Sequence, residues 1–371
     1  MLTAVGASAF AGANSACVAR RASVPASASI PSSKLVPVDC APDRVIRTVA
    51  GLRPFRPSGY VVRTDQIQGK TVIHNYGHGG AGITLSWGTA QLALEEAERS
   101  GQTQFAVLGC GVVGLSTALL FQRRGFSVTI YSKDTPPNTT SNIAGGWWAP
   151  VTLYEPGRQA PEFSATFVRA ATFAHRYYQN LTYADYGVRW IPMYSLSNNP
   201  PRQASDPDPF PEVQALFPAG RVLEPREHPF TASRVRRSWS MLIEPAIYLN
   251  ALRRDFLLGG GKLVIRDFPD LAAILALKEP AVVNCTGLGA KALFNDPELT
   301  PVKGQLAFLI PQPEVDYCTV GPGDLYMFPR HDGILLGGTH EHDVWDLTPD
   351  PSQTERIVQG HLDLFGSMRQ L

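Results

Sequence analysis

The strongest constraint on how this chain folds is the stretch from Gln104 to Tyr131. It opens as a short apolar strand and turns through Gly109, Gly111 and Gly114, at the spacing G-x-G-x-x-G. A helix follows, ends near Gly125, and gives way to a second strand over Val128–Tyr131. The three glycines serve in turn for a tight turn, for close backbone approach to a pyrophosphate, and for close helix–strand packing. The helix start, with Val112 and Val113, offers free N–H groups and a positive dipole end to phosphate. In this strand–turn–helix–strand setting the spacing predicts dinucleotide binding, without choosing between FAD and NAD. Such a unit usually opens its domain, yet here it starts only at Gln104.

The chain has 371 residues, 44% hydrophobic and 18% charged, with a formal net charge of +1. That length suits two domains sharing a large core. The near-neutral charge gives no reason to expect nucleic acid or an anionic membrane as partner. No stretch is long and apolar enough to span a bilayer. The five cysteines (17, 40, 110, 285 and 318) form no C-x-x-C pair, so Cys110 and Cys285 read as small core residues and a disulfide framework is not expected. Residues 1–42 differ in kind, being rich in Ala, Ser and Pro after an apolar run over Leu2–Ala13. They read either as a signal-like segment followed by a disordered linker, with export to the periplasm or outside, or as a transit-like or merely disordered tail on an otherwise cytoplasmic protein. Cys17 lacks the apolar neighbour that a lipoprotein cysteine requires.

A strand is expected over Arg44–Val49, followed by Gly51-Leu-Arg-Pro-Phe-Arg-Pro57. Two Arg-Pro steps force an extended backbone, which suits Arg53 to bidentate carboxylate recognition and equally suits a surface loop of solvated arginines. Next, Thr71–Tyr76 reads as a strand. It leads through glycines 77, 79, 80 and 82 into an amphipathic helix with Ile83, Trp87, Ala90, Leu94 and Ala97 on one face. A second glycine-rich turn feeding a helix N-terminus implies a second anion or polar-ligand site. His74 and His78 have metal-ligand spacing only on a helix, which these glycines oppose, so no metal is expected.

Beyond the nucleotide unit, Lys133–Pro150 is a turn-rich loop whose hydroxyls at Thr139, Thr140 and Ser141 suit phosphate or ribose contacts. Trp147 and Trp148 read as ring-flanking or simply core residues. An acidic residue is expected at the end of the second strand to hold the ribose, and Asp134 comes slightly late for it. Helices are expected over Glu162–Leu181, Ala246–Leu258 and Gln353–Leu371, the last amphipathic. Buried-strand character marks Lys262–Arg266 and Ala281–Asn284. Further strands are expected at Lys303–Ile310, Leu325–Phe328 and Ile334–Gly338.

Taken together, Gly109–Ala118, Thr139-Thr-Ser141, Asn284-Cys-Thr-Gly287, Gly304-Gln305, Gly51-Leu-Arg-Pro54 and His74-Asn-Tyr-Gly-His-Gly-Gly80 resemble the D-amino-acid oxidase / D-aspartate oxidase family of FAD enzymes. The resemblance covers about residues 42–371. The order differs: Gly51–Pro54 and His74–Gly80 normally lie near that family's C-terminus. The chain therefore resembles a circular permutant, with the usual N-terminus joined through residues 95–104.

The resemblance implies an α/β fold, a Rossmann-type FAD-binding domain with an α+β substrate domain on a mixed or antiparallel sheet. By the same resemblance, a tail over 1–42 would precede an FAD-binding domain over 43–150 and 259–300. The substrate domain would take 151–258 and 301–350, and a helix 351–371. Arg53 matches the arginine that binds the substrate α-carboxylate, Tyr326 the tyrosine that assists it, and Gly80 the glycine whose carbonyl takes the amine. Gly79, Gly80, Gly82, Ile83 and Thr84 match the loop and helix start beneath the flavin, and Gly145, Gly146 and Trp147 a loop against it. Phe268, Thr286 and Gly287 match further cofactor contacts, while Lys133 and Asp134 depart from the usual adenosine contacts. Ala149 stands where many members have an active-site glutamine.

The implied reaction is FAD-dependent oxidation of a D-amino acid by O2 to a 2-oxo acid, ammonia and H2O2, with FAD held non-covalently. D-aspartate oxidation, oxidation of glycine or N-methyl amino acids, and a non-catalytic flavin-binding role are the competing readings. A homodimer is one of two open states of assembly. His340 stands where D-aspartate oxidases place an arginine, and a histidine of ordinary pKa near ~6.5 is mostly neutral at neutral pH. Arg56 and Arg330 are expected to be solvated, so neutral side chains are expected to be preferred over acidic ones.

Overall fold

The computed structural model describes residues 35–183, 185–199 and 209–370. The signal-like run and Cys17 lie outside the described residues. In chain order, β1 (Val45–Phe55), β2 (Val61–Ile67), β3 (Lys70–Tyr76) and helix α1 (Gly82–Ser100) come before the βαβ unit of β4 (Gln104–Leu108), α2 (Val112–Arg123) and β5 (Ser127–Ser132). Then come α3 (Thr140–Ile143), α4 (Pro161–Leu181), β6 (Val188–Ser197), α5 (Pro211–Gln214), β7 (Arg221–Leu223), β8 (Arg234–Ile243), α6 (Pro245–Leu258), β9 (Lys262–Ile265) and α7 (Leu271–Leu275). The chain continues through β10 (Ala281–Asn284), α8 (Ala290–Leu293), β11 (Thr300–Leu309), β12 (Cys318–Val320), β13 (Tyr326–Arg330), β14 (Gly333–Gly337), β15 (Glu341–His342) and α9 (Pro351–Gly366).

One sheet has six strands in the order β2-β3-β10-β4-β5-β9, parallel except for the edge pair β2/β3. Parallel strands covered on both faces read as continuous apolar runs, and β4 and β10 are buried along nearly their whole length. Gly109 ends β4 at φ +105°, where a β-carbon would also meet the Cys285 carbonyl. A β-carbon on Gly114 would strike the Gly109 carbonyl, so α2 packs on the sheet only with glycine there. Both roles follow the spacing. β9, expected as a buried strand, is instead the sheet's edge: Ile265 is 65% exposed. Composition does not distinguish an edge from a centre.

The second sheet has nine strands, β1-β11-β14-β13-β12-β6-β8-β7 with β15 beside β11, mostly antiparallel. β1 does not stop at Val49 as expected. It runs to Phe55 in register with β11, carrying Arg53 opposite Val302. β1 thus belongs to the sheet of the expected substrate domain, although it falls within the stretch expected to bind FAD. Residues 36–40, expected as tail, also pack here. Val38 and Cys40 are buried in the core, and Tyr317 donates to the Val36 carbonyl at 2.7 Å. Residues 34–371 form one compact unit holding both sheets.

Helix α1 is amphipathic, as expected, only in its second half, where Leu94 and Ala97 are buried and Glu98 and Arg99 exposed. Leu85, Ser86, Gly88, Thr89, Leu92 and Ala93 are buried along with the predicted face. Its first half lies among α2, α4 and β3 and is covered on all sides, while Glu98 and Arg99 near its end are exposed. The fully buried Trp87 stacks on Tyr177 at 3.8 Å, worth roughly 0.5–1.5 kcal/mol beyond the area it buries. Helix α9 is amphipathic as expected, capped by Asp350, and lays Ile357, Val358, His361 and Phe365 on β11 and β14.

Candidate active site

A cleft of about 1120 Å³ runs between the C-terminal edge of the parallel strands and the face of the nine-stranded sheet. That exceeds the ~300–1,000 Å³ of ordinary small-molecule sites. Among its walls are Gly109, Gly111, Val112 and Val113, then Lys133, Asp134, Thr139, Thr140 and Ser141, and then Gly145, Gly146 and Trp147. Gly79, Gly80, Gly82, Ile83 and Thr84 are there too, as are Phe268, Thr286, Gly287, Arg53, Tyr326 and His340. Of the sequence-predicted site residues only Gly114 stands off the wall, in its packing role.

At the nucleotide end the walls are backbone. The Val112 N–H donates to Ser141 Oγ at 3.0 Å, which draws the α3 loop against the start of α2. Thr139 caps α3 with Asn142. Strand β5 ends in Ser132, whose Oγ accepts from Cys110 N–H at 3.1 Å and donates to the Asp134 carbonyl at 2.6 Å. The expected acid is therefore replaced at the strand end by a hydroxyl, and Asp134 sits beyond it, exposed. Sequence reasoning passes over Ser132, Tyr131 and Arg266, although they leave the C-terminal ends of β5 and β9, where such sheets bind ligands. The Arg266 guanidinium lies 4.8 Å above the Phe268 ring.

Midway, the start of α1 faces the cleft, placing the positive end of its dipole there. Thr84 Oγ1 donates to the Ala149 carbonyl at 2.8 Å and accepts from its N–H at 3.2 Å. Ala149 is thus buried behind the wall, not on it. Trp147 lines the cleft and donates from Nε1 to Ser240 Oγ at 2.8 Å, whereas Trp148 is core. The two histidines of the glycine-rich turn face different partners. His74 bridges Asp65 and Asn284, and His78 bonds Thr89 Oγ1 at 2.9 Å. Burial pushes His78 down to about 3, so it is a neutral core side chain. Cys110 and Cys285 are buried free thiols, raised to about 12 by burial.

At the far end Arg53 and Tyr326 converge. The Arg53 guanidinium lies across Gly304 and donates from Nη1 to the Thr339 carbonyl at 3.1 Å. A β-carbon on Gly80 would be 3.5 Å from Arg53 Cδ, so the glycine and the arginine are neighbours. The Tyr326 ring stacks on Phe328 and lies over Gly337 and Gly338. Burial raises the Tyr326 phenol, while the charge of Arg53, and then hydrogen bonding to it, pull against that rise, so the hydroxyl stays protonated as a donor. His340 Nδ1 is 3.3 Å from Asp324 Oδ2. Burial, then the charge of Arg53, lowers the His340 pKa.

Arg56 and Arg330 are not solvated as expected. Arg56 is 9% exposed and pairs with Asp296 and Glu298, and Arg330 is 5% exposed and pairs with Asp332. Neither lines the cleft.

The family model described as FAD dependent oxidoreductase matches residues 31–96 and 104–370. The chain belongs to that family. It is 32% identical to a D-amino-acid oxidase of Streptomyces coelicolor, over 71% of this chain and 77% of the relative. It is 29% identical to a human D-aspartate oxidase, over 69% of this chain and 74% of the relative. Its fold is similar to that of glycine oxidase from Bacillus cereus, with a TM-score of 0.53 at 16% identity over 71% of this chain and 78% of that one. The cofactor of this family is FAD, and the cleft fits it. Glycine backbone lines the pyrophosphate turn, a helix start faces the middle, and the buried Asn75 Oδ1 on the wall has no protein partner, as an acceptor awaiting a ligand donor would.

Proposed function

We propose that the protein oxidises D-amino acids, neutral side chains in preference to acidic ones, to 2-oxo acids, ammonia and H2O2. The observation that carries this reading is the Arg53–Tyr326 pair at the end of the FAD cleft. A fixed guanidinium beside a phenol donor is a carboxylate receptor. Arg53 and Tyr326 hold the substrate α-carboxylate, and the neighbouring Gly80 carbonyl accepts from its amine. FAD, when bound, supplies the two-electron oxidation and passes the electrons to O2. The residues provide position. None of Arg53, Tyr326 and Gly80 is a base for the Cα proton, which agrees with removal of the Cα hydrogen as hydride. Arg56 and Arg330 are ion-paired away from the cleft and His340 is lowered towards the neutral form, so among the described residues none of these three offers a fixed charge to a side-chain carboxylate. Peroxide release with D-alanine, D-methionine and D-phenylalanine, weaker with D-aspartate and none with the L-enantiomers, tests the reading.

We propose further that the family's elements occur here in rotated order. Supporting this, the family match falls into two segments that meet at residues 97–103. The segment before β4 also supplies strands to both sheets: β1 pairs with β11, and β3 with β10. Chain ends of compact domains often lie close together, which makes such a rotation tolerable.

A further inference from the structure

The D-amino-acid reading leaves open what the cleft asks of the substrate side chain. Of the cleft walls that the nine-stranded sheet and its loops contribute, the one carboxylate among the described residues is Asp324; the other wall carboxylates, Asp134 and Asp267, come after β5 and β9 at the nucleotide end. Asp324 sits in the turn between β12 and β13, two residues before Tyr326, at φ +60°. The turn is held from three sides. Gly321 N–H donates to the Leu325 carbonyl at 2.8 Å, Gly338 N–H to the Asp324 carbonyl at 2.8 Å, and Arg356 of α9 to the Gly323 carbonyl at 3.1 Å. The carboxylate is therefore presented by a fixed backbone.

The groups near it are His340, Tyr326 and Arg53, with the Arg356 guanidinium donating to the Gly323 and Gly338 carbonyls beside it. Asp324 bears electrostatically on both the Tyr326 phenol and the His340 ring, and so does Arg53, so both charges lie near that pair. His340 approaches at 3.3 Å but carries no charge near neutral pH, because burial and Arg53 lower its pKa. Among the described residues no lysine or arginine forms an ion pair with this carboxylate. The cleft lining also includes the apolar Val320, Leu325, Phe328 and Leu347.

We infer that Asp324 reads the far end of the substrate side chain, repelling carboxylates and favouring a D-amino acid whose long side chain ends in an ammonium or guanidinium group. This rests on the D-amino-acid reading. Arg53 takes the α-carboxylate, the apolar wall takes the methylenes, and Asp324 meets the terminal charge. Its side chain is 60% exposed, so the gain is that of a partly screened pair.

The test compares D-lysine, D-norleucine and D-glutamate, side chains of similar reach and different charge, on the wild-type protein and Asp324→Asn. Asparagine tolerates the left-handed backbone, and the bound-flavin absorbance verifies the fold of the variant. The expected result is a D-lysine to D-norleucine ratio of kcat/KM that falls about five-fold in the variant. The D-glutamate to D-norleucine ratio should rise at the same time. Unchanged ratios with D-norleucine still oxidised overturn this inference alone. An equal loss on all three substrates also overturns it, assigning Asp324 to the α-ammonium group they share. No turnover of any D-amino acid by the wild type overturns this inference together with the reading beneath it.

Discussion

The guanidinium of Arg53 lies across the backbone of Gly304, where a β-carbon would come 2.5 Å from Nη1 and 2.6 Å from Cζ. The two residues are on adjacent antiparallel strands, with Gly51 opposite Gly304. Glycine there is what lets the arginine lie flat on the sheet with its donors turned to the cleft. Gly304→Ala should displace the guanidinium and lower kcat/KM by about 10- to 100-fold, the scale on which misplaced groups cost rate. Arg53→Ala should cost roughly 100-fold or more. Bound FAD, measured by absorbance, should stay near wild type in both. Unaltered kinetics in either variant would remove Arg53 from the site.

The buried Arg56 cluster is structural. Asp296 accepts from Arg56 Nε at 2.8 Å and from the Tyr76 hydroxyl at 2.7 Å. Asp296→Ala leaves a buried cation and a buried phenol without that partner. The expected loss of stability is about 3–5 kcal/mol, read by urea unfolding. A loss under about 1 kcal/mol would mean that Glu298 alone satisfies the arginine.

These arginines also show where the sequence is legible and where it is not. Gly109, Gly111 and Gly114 announce their roles because those roles are local, set by neighbours within one turn. Arg53 is visible through its Arg-Pro setting, which the continuation of β1 makes a strand position. Arg56 finds Asp296 across 240 residues, a distance at which no pattern speaks, so in the sequence it reads as a solvated loop residue. Helix α1 misleads in a similar way. Thr84, Ser86 and Thr89 suggest a wet face, but each bonds a neighbouring carbonyl or hydroxyl inside the core. Edge position hides β9, and a backbone clamp to Thr84 takes Ala149 out of the cleft wall.

Acid should destabilise the fold through two core histidines. Burial lowers His78 to about 3 and His361 to about 4, whereas both titrate near ~6.5 when unfolded. Below that value the unfolded chain takes up protons that the native one refuses, so stability is intact above pH ~6.5 and falls as pH drops towards 4. By pH 5 the loss is on the order of 1–2 kcal/mol for each histidine. Urea unfolding between pH 8 and pH 5 measures it; a flat profile would show that these rings gain protons as freely in the native state.

The rotated order proposed above predicts which end of the chain is dispensable. A protein beginning at Leu35 should fold and hold FAD, since Val36, Val38 and Cys40 remain to cover their part of the core. One beginning at Thr103 loses Arg53, two strands of the six-stranded sheet and all of α1. It should neither hold FAD nor turn over substrate. Full flavin binding by the shorter protein would show β1–β3 and α1 to be an addition to a complete fold.

Presentation of a D-amino acid to FAD by Arg53 and Tyr326 is probed most directly by peroxide and 2-oxo acid formation. The purified yellow protein is assayed with D-alanine, L-alanine and D-aspartate at neutral pH. Equimolar peroxide and pyruvate are expected from D-alanine, none from L-alanine, and a lower kcat/KM for D-aspartate. Oxidation of L-alanine in place of D-alanine, or higher efficiency on D-aspartate, would refute that role.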